Sequence, residues 1–488
     1  MLHWEGKAQK KGKSVSFTLS QVFAPIFKKL NNFNEVENLK DPESPKTFPS
    51  SHYSDSCYEE FTNFNLLFQG DNMSVLQELR EKMKGMIDLV YIDPPFMKNT
   101  SFYRQVCLRG IDNEVSYKQK QYSDTWELDT YLQFLYERFY LLKDLLSDSG
   151  SIYVHLDEDA AHYIKLILDE VFGRENFRRQ IIWNTASLNV AGFKGQVRDN
   201  YVYATGIILF YSKTDSYTFN PQYTPHSQEF MDKKYNKSDE NGKYRITRRD
   251  NKIYMKEDRG ELITNIWNDI LSFNYAIAAS RESVFYPTQK PEALLERIIK
   301  TSTIPGDVVL DCFSGSGTTA AVAQKLDRKW IACDNNNIAI HTTSKRLQRI
   351  IASELSQEII RSFQIWQSGK NELFKNPIKC EIERNGNMVI VKIVEVDEIL
   401  VYKNAKMKQK INQPSKFALI DSVLISFSSI SSNSPPFVIQ FSDIPRGRKE
   451  PIKGEYNFTV PNWMKNSQFV HIWVYDIFGN YYHNMVEM

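Results

Sequence analysis

Residues 86–92 (MIDLVYI) run without a break into Asp93, Pro94, Pro95 and Phe96, and this junction narrows the possible folds more than any other stretch. The run is apolar and rich in β-branched side chains, the composition of a strand buried in a parallel sheet. Two prolines then end it: neither offers an N–H to a ladder, each fixes its own φ, and each restricts the residue before it. The expected product is a stiff loop at the carboxyl end of a strand, the edge of an open α/β sheet where ligands bind.

The side chains of that loop suit one task. Asp93 and a loop carbonyl can accept the two hydrogens of an exocyclic amino group while Phe96 stacks on the ring that carries it. Taken alone, the four residues read more simply as a turn capped by an aspartate. A second string has to decide.

The totals exclude several classes. A chain of 488 residues with 42% hydrophobic composition can bury a large core and suggests two to four domains. No apolar run is long enough to span a bilayer, and the N-terminus (MLHWEGKAQKKGK) lacks the apolar centre of a signal peptide, so no membrane partner and a cytoplasmic location are expected. The five cysteines (Cys57, Cys107, Cys312, Cys333, Cys380) form no CxxC pair, and the histidines show no ligand spacing, so neither disulfides nor a metal are expected. A net charge of +2 means that any nucleic-acid-binding surface must be local.

In chain order, residues 1–60 read as a lightly structured arm with one short helix around residues 18–30. Residues 61–211 show the parallel α/β rhythm of strand, helix, strand, interrupted by a polar stretch at 97–125 that is too long for an ordinary connection. Over residues 212–285 the rhythm fails, and basic residues interleave with Tyr235, Tyr244 and Tyr254; composition alone fits a solvated surface or a nucleic-acid face equally. It resumes over 286–370, with residues 337–367 read as one long helix or two, and residues 371–488 change to β-rich runs with Pro, Gly, Asn and Ser turns, an added all-β domain, with a sandwich the arrangement suggested.

The second string lies in the resumed part. DVVLD (307–311) is a buried strand, CFSGSGTT (312–319) the loop after it, and KWIAC (329–333) the next strand, ending at Asp334. Gly315 and Gly317 allow close backbone approach to a ligand, the following helix start favours an anionic group, and Asp334, seventeen residues past Gly317, is placed for ribose hydroxyls. The turn lacks the third glycine of a dinucleotide fingerprint and the Gly-Lys-Ser/Thr of a phosphate loop. Neither NAD nor ATP is the natural ligand.

Three strings together, DPPF (93–96), TQKP (288–291) and DCFSGSGTT (311–319), resemble the β class of S-adenosylmethionine-dependent amino-methyltransferases of DNA. The resemblance covers roughly residues 65–346. It implies a Rossmann-like methyltransferase sheet, circularly permuted to enter at its third strand, with a target-recognition insertion and S-adenosylmethionine as cofactor. Asp93 and the Pro94 carbonyl would then hold the target amine, Pro95 stiffen the loop and Phe96 stack on the flipped base. The donor would lie against the Asp311 loop, with Phe313, Gly315, Gly317 and Thr318 around its methionine part, Asp334 on its ribose, Asp71 on its adenine edge and Lys290 on its carboxylate. Lys290 also reads as a surface lysine beside a helix start.

The class places target recognition at 212–283, which makes Lys243, Arg245, Arg248, Arg249 and Lys252 the leading contacts to double-stranded DNA, with the 97–125 stretch clamping DNA or closing over the base. Within the family Asp at position 93 is common for adenine-N6 and Ser for cytosine-N4. An adenine-N6 methyltransferase is the first expectation and cytosine-N4 the alternative. A catalytically silent DNA-binding modification subunit is a third reading, opposed by the intact Asp93, Phe96, Gly315 and Asp334. Size and the LHWEGK start are similar to modification subunits of Type III restriction systems and related orphan methylases, which allows a homodimer and a separate restriction subunit as partners. The β-rich C-terminal part leaves dimerisation, DNA clamping and partner docking open.

Overall fold

The computed structural model describes residues 17–23, 65–96, 100–107, 116–124, 126–185, 201, 204–247, 251–273, 282–284, 286–354, 363–368, 376–385, 388–405, 417–428, 437–439, 441–443, 452–459 and 469–487. Its organising strand is Ile87–Ile92 (β3), whose side chains alternate between two cores: Val90 and Ile92 pack on one face of the sheet, Leu89 and Tyr91 on the other. A strand covered on both faces gains from apolar side chains at odd and even positions alike, and each full burial stabilises by about 1.5–3 kcal/mol. The polar exception, Asp88, sits near the strand start, where it accepts from Val308 N (2.9 Å) and Ser147 Oγ (3.0 Å).

Ten more strands join β3: β1 (Phe17–Phe23), β2 (Asn65–Gln69), β4 (Leu146–Leu156), β5 (Phe177–Asn184), β6 (Thr205–Ser212), β7 (Ile266–Trp267), β8 (Val308–Asp311), β9 (Lys329–Asp334), β10 (Phe363–Ser368) and β11 (Phe437–Ile439). Their order across the sheet is β7-β5-β6-β4-β3-β8-β9-β2-β10-β1-β11. The centre, β4-β3-β8-β9-β2, is parallel throughout, and β6 runs antiparallel between β4 and β5. Helices α1 (Asn72–Met83), α2 (Leu128–Leu145) and α3 (Glu158–Phe172) bury their apolar stripes on one face. On the other face lie α4 (Glu292–Ser302), α5 (Thr318–Lys325) and α6 (Asn337–Glu354).

This order carries the permutation that the resemblance implies. The chain enters the centre at β2, crosses by α1 to β3 and returns much later through β8, α5 and β9 to lie between them. The connections therefore diverge between β8 and β3, and a crevice opens outside the carboxyl ends of strands at such a switch point.

Several expectations need correction. Within the helix expected around residues 18–30, the described part belongs to a strand: β1 pairs antiparallel with β10 from Phe17↔Ser368 to Phe23↔Phe363. The open edge of β10 supplies backbone partners that a short isolated helix would lack. Residues 337–367 are neither one helix nor two, because α6 ends at Glu354 and Phe363–Ser368 is β10. The long polar stretch after Phe96 contains an antiparallel hairpin, Thr100–Cys107 with Ser116–Asp124.

The C-terminal part forms two strand-only sheets around one core. Val389 and Val391 come from the sheet of Ile378–Asn385, Met388–Val396 and Glu455–Thr459, while Val423, Ile425, Ile472 and Val474 come from the sheet of Phe441–Asp443, Ile420–Ser428, Phe469–Asp476 and Tyr481–Glu487. One short helix, Glu398–Asn404, follows the first sheet's second strand. The region also reaches the main fold, since β11 pairs with β1 and Leu424, Trp473 and Tyr475 join the core around α6.

Candidate active site

Parallel packing of β2, β3, β8 and β9 brings the residues that follow or close them, Asp71, Asp93, Asp311 and Asp334, to one edge of the sheet. They line a single cavity of about 500 Å³, together with Pro94, Pro95, Phe96, Lys290, Phe313, Gly315 and Thr318. That volume suits one nucleoside-sized ligand with room for part of a second. The proline-braced loop and the glycine-rich turn, 218 residues apart in sequence between Asp93 and Asp311, thus face each other.

The proline loop is held from below and from the side. Tyr131 on α2 donates its hydroxyl to the Pro95 carbonyl at 2.7 Å, and beneath the loop Tyr91 meets His155 Nδ1 at 2.9 Å. The Phe96 ring lies 6.2 Å from the His155 ring. His155 is fully enclosed, so burial, with the Lys290 charge adding, holds its pKa well below the usual imidazole range and keeps it neutral.

Asp93 has two unlike oxygens. Oδ2 takes the Lys290 ammonium, while Oδ1 is buried with no hydrogen-bond partner among the described residues. Burial raises its pKa and the contact with Lys290 works against that rise. Lys290 therefore sits on Asp93, with its ammonium 5.4 Å from the centre of the Phe96 ring.

The glycine turn is shaped by its own acids. Asp311 accepts from Phe313 N at 3.0 Å and from Thr319 Oγ1 at 2.6 Å, which closes the turn on the start of α5. Burial, reinforced by the nearby Asp93 and Asp334 charges, pushes its pKa up to about 7. Asp334 accepts from Gly315 N and Asn336 N, each at 2.9 Å, and these bonds oppose the rise that burial imposes. Asp71 caps α1 by accepting from Ser74 N at 3.2 Å and lies 3.5 Å from the Arg138 guanidinium.

The two glycines divide the labour. Both have positive φ, 48° at Gly315 and 71° at Gly317. Gly315 faces the cavity, but Gly317 does not line it: a Cβ there would meet Thr343 of α6 at 2.5 Å. The sequence reading assigned both to ligand approach. For Gly317 the structural reason is helix packing.

Sequence reasoning missed an aromatic wall. Trp126 and Phe134 line the cavity with ring centres 4.8 Å apart, and Phe134 meets Phe313 edge-on at 6.0 Å. The helical period of 128–145 was visible, but a periodic apolar face does not say which of its residues meets a cavity. Tyr286 also lines it, 3.5 Å from where a Gly315 Cβ would stand.

Of the expected DNA contacts, the three described ones, Lys243, Arg245 and Lys252, do not line the cavity. Lys243 and Lys252 occupy a small sheet (Lys237–Asp239, Gly242–Ile246, Lys252–Tyr254) and pair with Asp232 at 2.8 Å and Asp239 at 2.7 Å. Arg245 is half-buried, with Nε enclosed and without a partner among the described residues. Arg248 and Arg249 lie outside the described residues.

The cavity's donor set can be tested against a methyl donor. Three enclosed polar atoms on its lining, Asp93 Oδ1, Ser314 Oγ and Trp126 Nε1, have no hydrogen-bond partner among the described residues. Each such atom costs about 1–3 kcal/mol unless a ligand satisfies it. Acids at the ends of β2 and β9, an aromatic wall and a left-handed glycine backbone fit the polar, aromatic and amino-acid parts of S-adenosylmethionine. Fold and cavity thus define an S-adenosylmethionine-dependent methyltransferase.

The chain belongs to the DNA methylase family whose members act on amino nitrogens; the family model matches residues 87–345. It is 27% identical over 333 residues to the Type II methyltransferase M.EcaI of Enterobacter cloacae, covering 58% of this chain and 69% of that one. It is 26% identical over 383 residues to the StyLTI Mod subunit, a Type III restriction-modification enzyme of Salmonella typhimurium, covering 62% of this chain and 57% of that one. It is 26% identical over 289 residues to the DNA adenine methyltransferase YhdJ of Escherichia coli, covering 58% of this chain and 83% of that one. No helix among the described residues is long and apolar enough to cross a membrane.

Proposed function

We propose that this protein transfers a methyl group from S-adenosylmethionine to N6 of an adenine extruded from duplex DNA, in a restriction-modification setting. One observation carries the reading: Asp93 presents a buried oxygen, Oδ1, that lacks a partner among the described residues, beside a stacking ring, in the cavity that the glycine turn also lines. When bound, S-adenosylmethionine supplies a sulfonium-activated methyl, so the protein need not activate the donor.

The residues have the following parts. Asp93 Oδ1 and the Pro94 carbonyl accept the two amino hydrogens, which weakens conjugation of that nitrogen with its ring and draws it toward tetrahedral geometry. Tyr131 takes the Pro95 carbonyl. Phe96 stacks on the extruded base, worth about 1–3 kcal/mol, against a flipping cost of a few kcal/mol. Gly315, Phe313 and Thr318 surround the amino-acid part of the donor, Asp334 takes its ribose and Asp71 its adenine edge. Fixed orientation and electrostatic fit supply the acceleration.

Lys243, Lys252 and Arg245 form the DNA-reading surface with the region around them. Lys243 is held by the exposed Asp232 and Lys252 by the half-buried Asp239, surface ion pairs that solvent screens, so a backbone phosphate can exchange for either aspartate.

Incubating the full chain with labelled S-adenosylmethionine and assorted duplexes, then analysing the nucleosides, tests the reading. Label is expected on N6 of adenine. Label on N4 of cytosine moves the assignment to the other amino base within the same family, and no label on any duplex refutes the activity. Asp93→Ala is expected to reduce transfer at least a thousandfold while donor affinity stays within about threefold, because Asp93 serves the acceptor side.

A further inference from the structure

We propose that Lys290 is a positioning residue for Asp93: it keeps that carboxylate ionised and turned so that Oδ1 faces the target amine, and it ties the glycine turn to the proline loop. This rests on the methyl-transfer reading given above. Lys290 touches both halves of the site. Its side chain reaches Asp93 Oδ2 and lies over the Phe96 ring. Its carbonyl accepts from Thr318 Oγ1 at 3.2 Å, and that oxygen accepts from Arg346 at 2.9 Å. Arg346 in turn binds Glu292 in the first turn of α4, at 2.7 Å. The main chain of Lys290 is thus fixed by the glycine turn while its cation serves an acid 197 residues away.

The surroundings leave this work to Lys290. Among the described residues, the titratable groups near Asp93 besides Lys290 are Tyr91 on β3, His155 on β4 and Asp311 at the end of β8. Tyr91 is held in its neutral phenol form by burial and by the nearby Asp93 and Asp311 charges, burial keeps His155 neutral, and Asp311, when ionised, opposes a second negative charge. Among the described residues facing Asp93, Lys290 is the cation that offsets the cost of its charge. Without it burial would act on Asp93 unopposed and favour the protonated acid, whose hydrogen at Oδ1 would meet the amine's own hydrogens where a bare oxygen would accept one. The same ammonium over Phe96 fixes the ring on which the base stacks.

Two measurements on the wild type, Lys290→Gln and Lys290→Arg test this: the pH dependence of kcat/KM for DNA, and an infrared titration of the Asp93 carboxyl assigned by Asp93→Asn. Expected for Lys290→Gln is an acid limb and an Asp93 titration both moved up by about one pH unit or more, with donor Kd within about threefold of wild type. Lys290→Arg is expected to restore most of the shift. An unmoved Asp93 titration in Lys290→Gln, with donor Kd raised about tenfold, would make Lys290 a donor anchor and overturn the proposal. If Lys290→Gln does not fold, Lys290→Arg still decides: its Asp93 titration should stay within about half a unit of wild type, and a shift of a full unit refutes the role. The infrared titration reads the pair without turnover, so its failure is separable from a failure to methylate DNA.

Discussion

Gly315 and Gly317 share one turn and one backbone handedness, yet they answer to different neighbours. Gly315 opens the cavity wall, and its N–H positions Asp334. Gly317 lets α5 and α6 approach, with no space for a Cβ beside Thr343. Gly317→Ala is therefore expected to cost about 2–4 kcal/mol of stability, from the left-handed backbone and the overlap together. Adding Thr343→Ala should return about half of it, because the γ atoms nearest the new methyl are gone. Urea unfolding of the single and double variants checks this, and strict additivity of the two losses would refute the packing explanation. The string SGSG showed two glycines, but not which of them faced a ligand.

At the scale of elements, α2 does two jobs with one face. Tyr131 braces the proline loop, Phe134 continues the aromatic wall and Arg138 reaches back to Asn72 at 2.7 Å and Asp71 at 3.5 Å. These residues stand three or four apart, the spacing that puts them on one side of a helix. Tyr131→Phe should lower kcat about three- to tenfold with donor Kd unchanged, the loss of one hydrogen bond that orients the acceptor loop. Single-turnover rates and a donor titration would show it; an equal loss in both would place Tyr131 on the donor side instead. The helical period of α2 was legible from sequence. Its partition between core and cavity was not, since both ask for apolar side chains at the same spacing.

For the whole molecule, the C-terminal sheets dock on α6, the helix that follows Asp334. Asp421 receives His341 at 2.6 Å and Lys345 at 2.5 Å from α6, and the His341 ring stacks on Tyr475 with centres 4.4 Å apart. Another side of the same helix carries Thr343, which bonds the Gly315 carbonyl at 3.3 Å, and Arg346, which bonds Thr318. Removing Asp421 leaves two enclosed donors facing each other, so Asp421→Ala should destabilise by about 3 kcal/mol and weaken donor binding several-fold. Calorimetry and a donor titration check both arms. Unchanged affinity despite a lowered melting temperature would mean that the C-terminal sheets support the fold without reaching the site.

The sequence by itself determined the central strands, the order of the two loops and the acids that close the strands, because buried parallel strands, paired prolines and left-handed glycines each leave a local mark. Tertiary structure alone decided that Lys290 meets Asp93, that Trp126 and Phe134 form a wall, and that β1 and β11 extend the sheet. Each of these joins residues far apart in the chain. Such contacts depend on which surfaces the folded layers leave open, and a string of residues records no such choice.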